Sequence, residues 1–343
     1  MLIYISALFG ALVDAARQKG LDTDKIGDHA EIMSGAPAEI AHAVQRLLES
    51  SISDSISQAA DAIRQEGLVE HADHLCISGG VALNCPSNSK LWTTNRFKRI
   101  HIEPHCEDGG LSIGAAHYVA HHFCGARKKL ADLPTGQYAM IGTRSSAAPS
   151  AILDHFKGKI SWESPESWQH TAASAIANNH VVAVYFGRYE TGPRALGHRS
   201  ILANPTDRDN WEKVNLIKKR ELWRPFAPAV LAADMAEWFE EGPPSSPFML
   251  FTHKLRGCQK DKLPAITHVD GTARVQTVTS ADEPLYGILS CLKKMGRPPV
   301  VLNTSFNGPG QPIMQDPYDA IEMLLDSEIE FLFIDGLAIR KAS

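Results

Sequence analysis

The chain reads as an α/β protein with more than one domain. Two patterns predict this. The first third holds two strand–loop–helix units with glycines at their turns, and the remainder alternates strand-length apolar runs with segments of helical spacing. Length agrees, since 343 residues leave room for two domains with sizeable cores.

In chain order, the apolar stretch 1–13 has no preceding Lys or Arg and is closed by Asp14, so it reads as the interior of a folded domain rather than a signal peptide. Ile40, Val44, Leu47, Leu48, Ile52, Ile56, Ala60 and Ile63 recur at helical spacing over 38–66, and Gly67 stands where a C-terminal cap belongs. His74–Ser78 is a short strand that runs into Gly79-Gly80 and a helix-like Val81–Asn84. A second strand, Arg99–Glu103, enters the loop Pro104–Gly110, and a small-residue helix follows over Leu111–Ala116. The stretch 126–150 is polar, irregular and rich in Gly, Pro and Ser, which predicts a linker between a domain at 1–125 and a domain at 151–343. Beyond it, helices are expected at Trp168–Ala177, Leu285–Met295 and Tyr318–Leu325. Strands are expected at Val181–Tyr185, Pro247–Phe251, Ala273–Val278, Pro299–Asn303 and Glu330–Ile334. No internal repeat or low-complexity tract is present.

Composition excludes several classes of function. The formal net charge is −5, and no basic run tracks a phosphate backbone, so a nucleic-acid partner is not expected. Six cysteines without a C-x-x-C pair suit reduced thiols in the cytoplasm better than a disulfide framework or a zinc ribbon. No apolar run approaches the ~20 residues that span a bilayer, so no membrane role is expected.

The densest chemistry follows the apolar run Val181–Tyr185. Phe186–Ser200 places Arg188, Arg194, Arg199 and Glu190 inside a turn rich in Gly and Pro. Arginine presents a planar fork of donors that suits phosphate and carboxylate, and glycine lets backbone approach a ligand. Further along, Lys218, Lys219 and Arg220 precede Trp223-Arg224-Pro225-Phe226-Ala227-Pro228. His268, Asp270 and Arg274 surround one turn, and Asn303-Thr304-Ser305-Phe306-Asn307 ends an apolar strand in polar side chains. Each cluster alone is ordinary surface polarity. Together, each at the edge of a predicted strand, they imply a polyanion pocket in which Arg and Lys neutralise charge and Ser and Asn orient it.

The first domain offers weaker features. Ser78–Asn84 is a strand–glycine–helix turn whose free N–H groups suit either an anion at Gly79, Gly80 and Asn84 or a packing turn without a ligand. Asp108, before the small-residue helix, suits either a hard metal ion or a helix cap. His117 and His121 share one face of that helix, but no Glu lies between them as a zincin would require.

Glu190–Ala203, Trp223–Pro228, His268–Gln276 and Asn303–Asn307 resemble successive signatures of the O-carbamoyltransferase family, which includes nodulation proteins and antibiotic-tailoring enzymes. Ser78–Cys85 and Asp108–Ala116 resemble the end of that family's first domain. The resemblance implies a partial actin-like ATPase-type lobe followed by a YrdC-like α/β domain with a twisted mixed sheet. It implies that carbamoyl phosphate and ATP form carbamoyl adenylate in the second domain and that the first domain passes the carbamoyl group to a hydroxyl, often of a sugar. Arg194, Arg224 and Arg274 would then be catalytic. Arg188, Glu190, Arg199, Lys219, His268, Asp270, Asn303, Ser305, Asn307, Gly79, Gly80 and Asn84 would bind carbamoyl phosphate or ATP. Asp108 would hold a divalent metal, iron or magnesium.

The chain departs from the family in one respect. Members carry a His-x-x-x-His metal pair well upstream of the Ser-Gly-Gly motif, and about eighty residues precede that motif here without such a pair. The expectation is therefore a C-terminal portion with an intact activating domain, paired with an N-terminal partner chain if the gene is split. A nucleotide-binding subunit without its own turnover is the second reading. Threonylcarbamoyl adenylate chemistry is a third, opposed by the missing basic stripe.

Overall fold

The structure is a computed structural model that describes residues 36–68, 73–126, 138–282 and 284–342. The chain forms two compact units, Met1–His74 with Thr94–Lys98, and Leu75–Thr93 with Arg99–Ser343.

In the first unit, α1 (Ala36–Gln65) is the helix that the apolar spacing predicts. It ends at Gly67, which takes φ 77°, and the Leu68 N–H reaches back to the Ile63 carbonyl at 3.2 Å. Asp61 pairs with Arg96 and Asp73 with Lys98 at 2.5 Å, so ion pairs join the helix and its following segment to 94–98.

The second unit begins at β1 (His74–Ile77), which pairs with β2 (Arg99–Ile102) in a two-stranded sheet. Between them lie a 3-10 turn (Gly80–Leu83) and α2 (Cys85–Thr93), and α3 (Gly110–His122) follows β2. The composition of α2, Cys-Pro-Ser-Asn-Ser-Lys-Leu-Trp-Thr, gives no apolar stripe, and the sequence reading passed over it.

The rest of the unit is built on one eight-stranded mixed sheet. Its elements are α4 (Pro149–His155), β3 (Ile160–Glu163), α5 (Trp168–Ala177), β4 (Val182–Tyr185), β5 (Arg199–Ala203), α6 (Asp209–Ile217) and β6 (Ala227–Leu231). There follow a one-turn α7 (Met235–Trp238), β7 (Phe239–Glu240), β8 (Thr252–Leu255), β9 (Thr272–Arg274), β10 (Gln276–Val278), α8 (Leu285–Lys294), β11 (Val300–Ser305), α9 (Pro317–Asp326), β12 (Phe331–Ile334) and β13 (Leu337–Lys341). The strand order is β10-β6-β11-β5-β4-β12-β13-β3. β10 runs parallel to β6 and β12 to β4; the other pairs are antiparallel.

The central strands β4, β5 and β6 are buried on both faces, which is why β4 reads as a continuous apolar run. Alternation still sorts the side chains. Ala183, Ile201 and Val230 face a core shared with α4, α6 and α9, while Val182, Leu202 and Ala229 face α5 and α8. On α8, Leu285, Ile288, Leu289 and Leu292 are buried, worth roughly 1.5–3 kcal/mol each. Asp316 caps α9 by accepting the Tyr318 N–H at 2.9 Å, with Pro317 in the first turn.

Two predicted strands differ. Pro247–Phe251 is not a strand. Met249 takes φ 56°, the Met249 and Leu250 carbonyls accept from Cys85 and Asn88, and its apolar side chains bury against Ala82, Ile102 and Cys106. Ala273–Val278 divides at Val275 between two sheets, with β9 in the small β7-β8-β9 sheet and β10 at the edge of the large one.

Candidate functional site

Strand register brings the separate polar clusters to one end of the eight-stranded sheet. Tyr185 at the end of β4 pairs with Arg199 at the start of β5. Ser200 pairs with Ser305 at the end of β11, and Asn303 pairs with Ala227 at the start of β6. Gln276, the first residue of β10, pairs with Ala229. The loop 186–198, the segment 218–226, Arg274 and Asn303–Asn307 therefore all emerge at that end.

The loop 186–198 folds around Glu190. This carboxylate is 1% exposed. Oε1 accepts the Leu196 N–H at 2.6 Å and the His198 N–H at 2.9 Å, and Oε2 accepts the Arg199 N–H at 3.0 Å. Arg199 is fully buried. Its guanidinium lies 3.6 Å from the Tyr185 ring centroid and donates to the Phe186, Gly187 and His198 carbonyls. Arg188 turns outward and donates to the Gly142 carbonyl at 2.9 Å. Gly192, at φ 91°, lies so close to the Pro104 carbonyl that a Cβ would overlap its oxygen. Glu190 and Arg199 thus build the loop, and Arg188 ties it down.

Arg194 remains, and its charge, like that of Arg220, acts on Arg274. The Nε atoms of Arg194 and Arg274 and the Nη2 atom of Arg220 are buried without a hydrogen-bond partner among the described residues. Burial, followed by the neighbouring Arg194 guanidinium, lowers Arg274 to about 10. Burial and Arg224 lower Arg220 to about 10. The Arg194 and Arg220 charges both act against Arg274, and the unpartnered buried donor atoms of the three suit an anion. Cys85 adjoins Arg274. Asn303 donates to Gln276 Oε1 at 2.8 Å, and Gln276 donates to the Leu196 carbonyl at 2.8 Å, which fixes the loop carrying Arg194.

Lys218 completes one wall. It is 6% exposed. Its Nζ donates to Asn307 Oδ1 at 2.7 Å, to Ser305 Oγ at 3.2 Å and to the carbonyls of both residues. Burial, then the Arg220 charge, lowers it to about 7. Sequence reasoning weighted Lys219, whose side chain instead lines a separate cavity of about 550 Å³ with Ile313, Asp319 and Glu322. The missed signal is helical phase: Val214, Ile217 and Lys218 are buried at i, i+3 and i+4. Arg220 was named in the basic cluster without a role of its own, and Gln276 was passed over as a site residue.

Other expected residues take local roles. Arg224 is exposed and pairs with Glu221 at 2.6 Å. Asp270 Oδ1 accepts from the Thr272 N–H and Oγ1, closing the turn before β9. Burial lowers His268, whose ring lies 3.4 Å from the Phe226 carbonyl. Gly79 and Gly80 are exposed, and a Cβ on either meets nothing within 4 Å. Asn84 accepts the Ser87 N–H at 3.1 Å and caps α2. Asp108 is exposed. It does not cap α3; the capping position is Gly109, whose N–H donates to Glu107 at 2.7 Å. His117 and His121 stack with ring centroids 6.1 Å apart. Among the described residues no group of three or more His, Cys, Asp or Glu stands where it could hold a metal ion, and no helix is long and apolar enough to cross a membrane.

Known proteins share this arrangement of sequence. Residues 173–341 match the family model described as Carbamoyltransferase C-terminus, and residues 3–117 match Carbamoyltransferase N-terminus. Nodulation protein NolO of Bradyrhizobium diazoefficiens is 36% identical over 301 residues, which is 84% of this chain and 54% of the relative. Nodulation protein U of Azorhizobium caulinodans is 32% identical over 292 residues, or 83% and 48%. An uncharacterized protein of Methanocaldococcus jannaschii, MJ1058, is 33% identical over 321 residues, or 93% and 50%. The chain thus spans about half the length of the curated relatives it matches. Among solved structures, full-length HypF in its phosphate- and nucleotide-bound form overlaps 51% of this chain and 26% of its own at TM-score 0.36 and 18% identity. Because 3–117 and 173–341 match the two parts of one family in order, the chain belongs to the carbamoyltransferase family.

Proposed function

We propose that this chain takes part in O-carbamoylation, and that the arginine-lined end of its large sheet binds carbamoyl phosphate and ATP and joins them as carbamoyl adenylate. The observation that carries this reading is the set of buried, unpartnered donors on Arg194, Arg220 and Arg274. A triphosphate beside a carbamoyl phosphate supplies the negative charge such a cluster needs. In this reading 1–125 belongs to the transfer domain, 126–150 is the linker and 151–343 is the activating domain.

Chemical balance sets the step. Carbamoyl phosphate and one water yield carbamate and inorganic phosphate. A carbamate oxygen then bonds to the α-phosphorus of ATP as the bond to pyrophosphate breaks. Arg194 and Arg274 neutralise the phosphates, Arg220 and Arg224 extend the positive rim, and His268 borders it. Lys218 with Ser305 and Asn307 presents a donor that holds or releases one proton near neutral pH. Asn303 keeps the Arg194 loop in place through Gln276. In the mixed anhydride AMP is a good leaving group, so a sugar-type hydroxyl acceptor that attacks the carbamoyl carbon and releases AMP needs positioning and modest base assistance. Gly79, Gly80 and Asp108 belong to the transfer side. Asp108 offers one carboxylate toward a divalent metal without a ligand cluster around it among the described residues, and no step here runs through a metal. Six free thiols suit a reducing cytoplasm.

The test is pyrophosphate release from ATP on adding carbamoyl phosphate. Release that disappears in Arg274→Met supports the reading. Release that does not require carbamoyl phosphate, or that survives the substitution, opposes it. In a second reading the chain activates carbamoyl phosphate and completes acceptor transfer only with another polypeptide. Pyrophosphate release without carbamoylated sugar would distinguish it.

A further inference from the structure

Asn303 leaves a hydrogen-bond acceptor open beside a cluster of donors. Its side chain is 1% exposed, and a chain of amides fixes which way it faces. The Leu196 carbonyl can only accept, so it takes the Gln276 Nε2 group at 2.8 Å and turns Gln276 Oε1 toward Asn303. Oε1 can only accept in turn, and it takes Asn303 Nδ2 at 2.8 Å. The Ala195 carbonyl accepts from the same Nδ2 at 3.3 Å. Both Asn303 donors are thus spent, and rotating the amide would set oxygen against oxygen. Oδ1, on the other arm of the amide, is buried without a donor among the described residues. An unmet buried acceptor costs stability until something donates to it. Ser200 repeats the pattern. β5 and β11 pair Ser200 with Ser305, two residues from Asn303, so the three side chains share one face of the sheet at its site end. The Ser200 Oγ is also buried without a partner.

An open acceptor does not serve a polyanion. Phosphate oxygens are themselves charged acceptors, so they go to the free donors of Arg194, Arg220 and Arg274 and are repelled by Oδ1. The ligand must bring an N–H or O–H of its own. In carbamoyl phosphate the amino group is one carbon away from the bridging oxygen, so it sits next to whatever holds the phosphate. Asn303 reaches that neighbourhood through Ala195, the residue after Arg194. The adenine amino group lies at the opposite end of ATP from the triphosphate. Resonance with the carbonyl makes the carbamoyl nitrogen a donor and not an acceptor, which is the complement of Oδ1.

We propose that Asn303 Oδ1 accepts an N–H of the carbamoyl amino group and selects a carbamoyl phosphate over an acyl phosphate. The inference rests on the reading of this sheet end as the carbamoyl phosphate site. The amino group passes unchanged from carbamoyl phosphate to carbamate to carbamoyl adenylate, so one acceptor holds it while the bonds to oxygen change. Gln276 is the positioning residue that keeps the acceptor aimed.

Acetyl phosphate, with a methyl group where carbamoyl phosphate has its amino group, tests this by calorimetry on the native full chain, with inorganic phosphate as reference. Acetyl phosphate is expected to bind at least roughly tenfold more weakly than carbamoyl phosphate. In Asn303→Leu, which keeps the volume and has no acceptor, the two affinities are expected to converge. Loosening of the Arg194 loop through the lost Gln276 contact weakens both ligands alike and leaves their ratio at its native value, so the ratio isolates the amino contact. If Asn303→Leu does not fold, Gln276→Met, which frees the amide to turn, reads the same loss of ratio. Equal affinity of the native chain for both ligands overturns the inference and leaves the anion site standing. A native ratio retained in the variant also overturns it, and ATP affinity lost alongside that retained ratio assigns Oδ1 to the nucleotide instead. Binding of none of the three ligands by the native chain overturns the anion site and this inference together.

Discussion

Glu190→Gln separates a loop-building carboxylate from a ligand-binding one. In the native loop both carboxylate oxygens accept backbone N–H groups, from Leu196 and His198 on one side and Arg199 on the other. A glutamine keeps one acceptor and turns an amide N–H₂ toward a remaining backbone N–H. A charge-assisted bond is worth about 1.5–3 kcal/mol, and a buried donor left unmet costs about 1–3 kcal/mol. With Glu190 only 1% exposed, water does not replace the lost partner. The combined local cost is roughly 3–5 kcal/mol, or on the order of a 10²- to 10⁴-fold loss of exchange protection at the Leu196, His198 and Arg199 amides. Hydrogen exchange resolved at those amides reads this directly. Carbamoyl phosphate affinity falls with it, because Arg194 sits on the loosened loop. Unchanged protection with binding abolished would refute the reasoning and make Glu190 a direct ligand.

Lys218 links pH to both stability and binding. Its folded value, about 7, lies below its ordinary 10.5. The unfolded chain therefore binds the extra proton between these values, and stability rises with pH across that window, with the full penalty present below pH 7. Lys218→Met flattens this rise in denaturant titrations; an unchanged slope contradicts it. A bound phosphate holds the proton on Lys218, so binding near pH 8.5 takes up a proton and weakens as pH climbs. Calorimetry in buffers of different ionisation enthalpy measures the uptake, and its absence argues against Lys218 facing the ligand. Gly192→Ala meets both positive φ and the Pro104 carbonyl, so it destabilises by roughly 1–3 kcal/mol. A thermal midpoint equal to the parent's would show that the loop does not need this approach.

Much of the fold was legible because strands and helices with one dominant environment write that environment into sequence. Val182–Tyr185 and Trp168–Ala177 fall where apolar runs and periodicity put them. β5 escaped notice because Arg199 and Ser200 look polar, although both are buried. α6 and α2 escaped because their buried faces include Asn210, Asn215, Ser87 and Asn88. At the site, residue type announced anion chemistry but not direction. Arg194 and Arg199 share one loop and each leaves its Nε without a partner among the described residues, yet the Nη groups of Arg199 go to backbone carbonyls. Lys218 caps the C-terminus of α6 in helical phase while Lys219 turns to φ 46°, and that one residue decides which amine meets Ser305. Long-range register joined clusters as far apart as Arg194 and Asn303, and sequence patterns alone carry no such distance.

The most direct measurement is calorimetric titration of carbamoyl phosphate into the native chain and Arg274→Met at low and high salt. Native chain is expected to bind with salt-sensitive affinity. Arg274→Met should lose at least ~10-fold, the scale of one charge-assisted contact, while its unfolding midpoint holds or rises because one repelling buried charge is gone. Equal affinity in both proteins, or no binding by either, would contradict the assignment of the arginine-lined sheet end as the carbamoyl phosphate site.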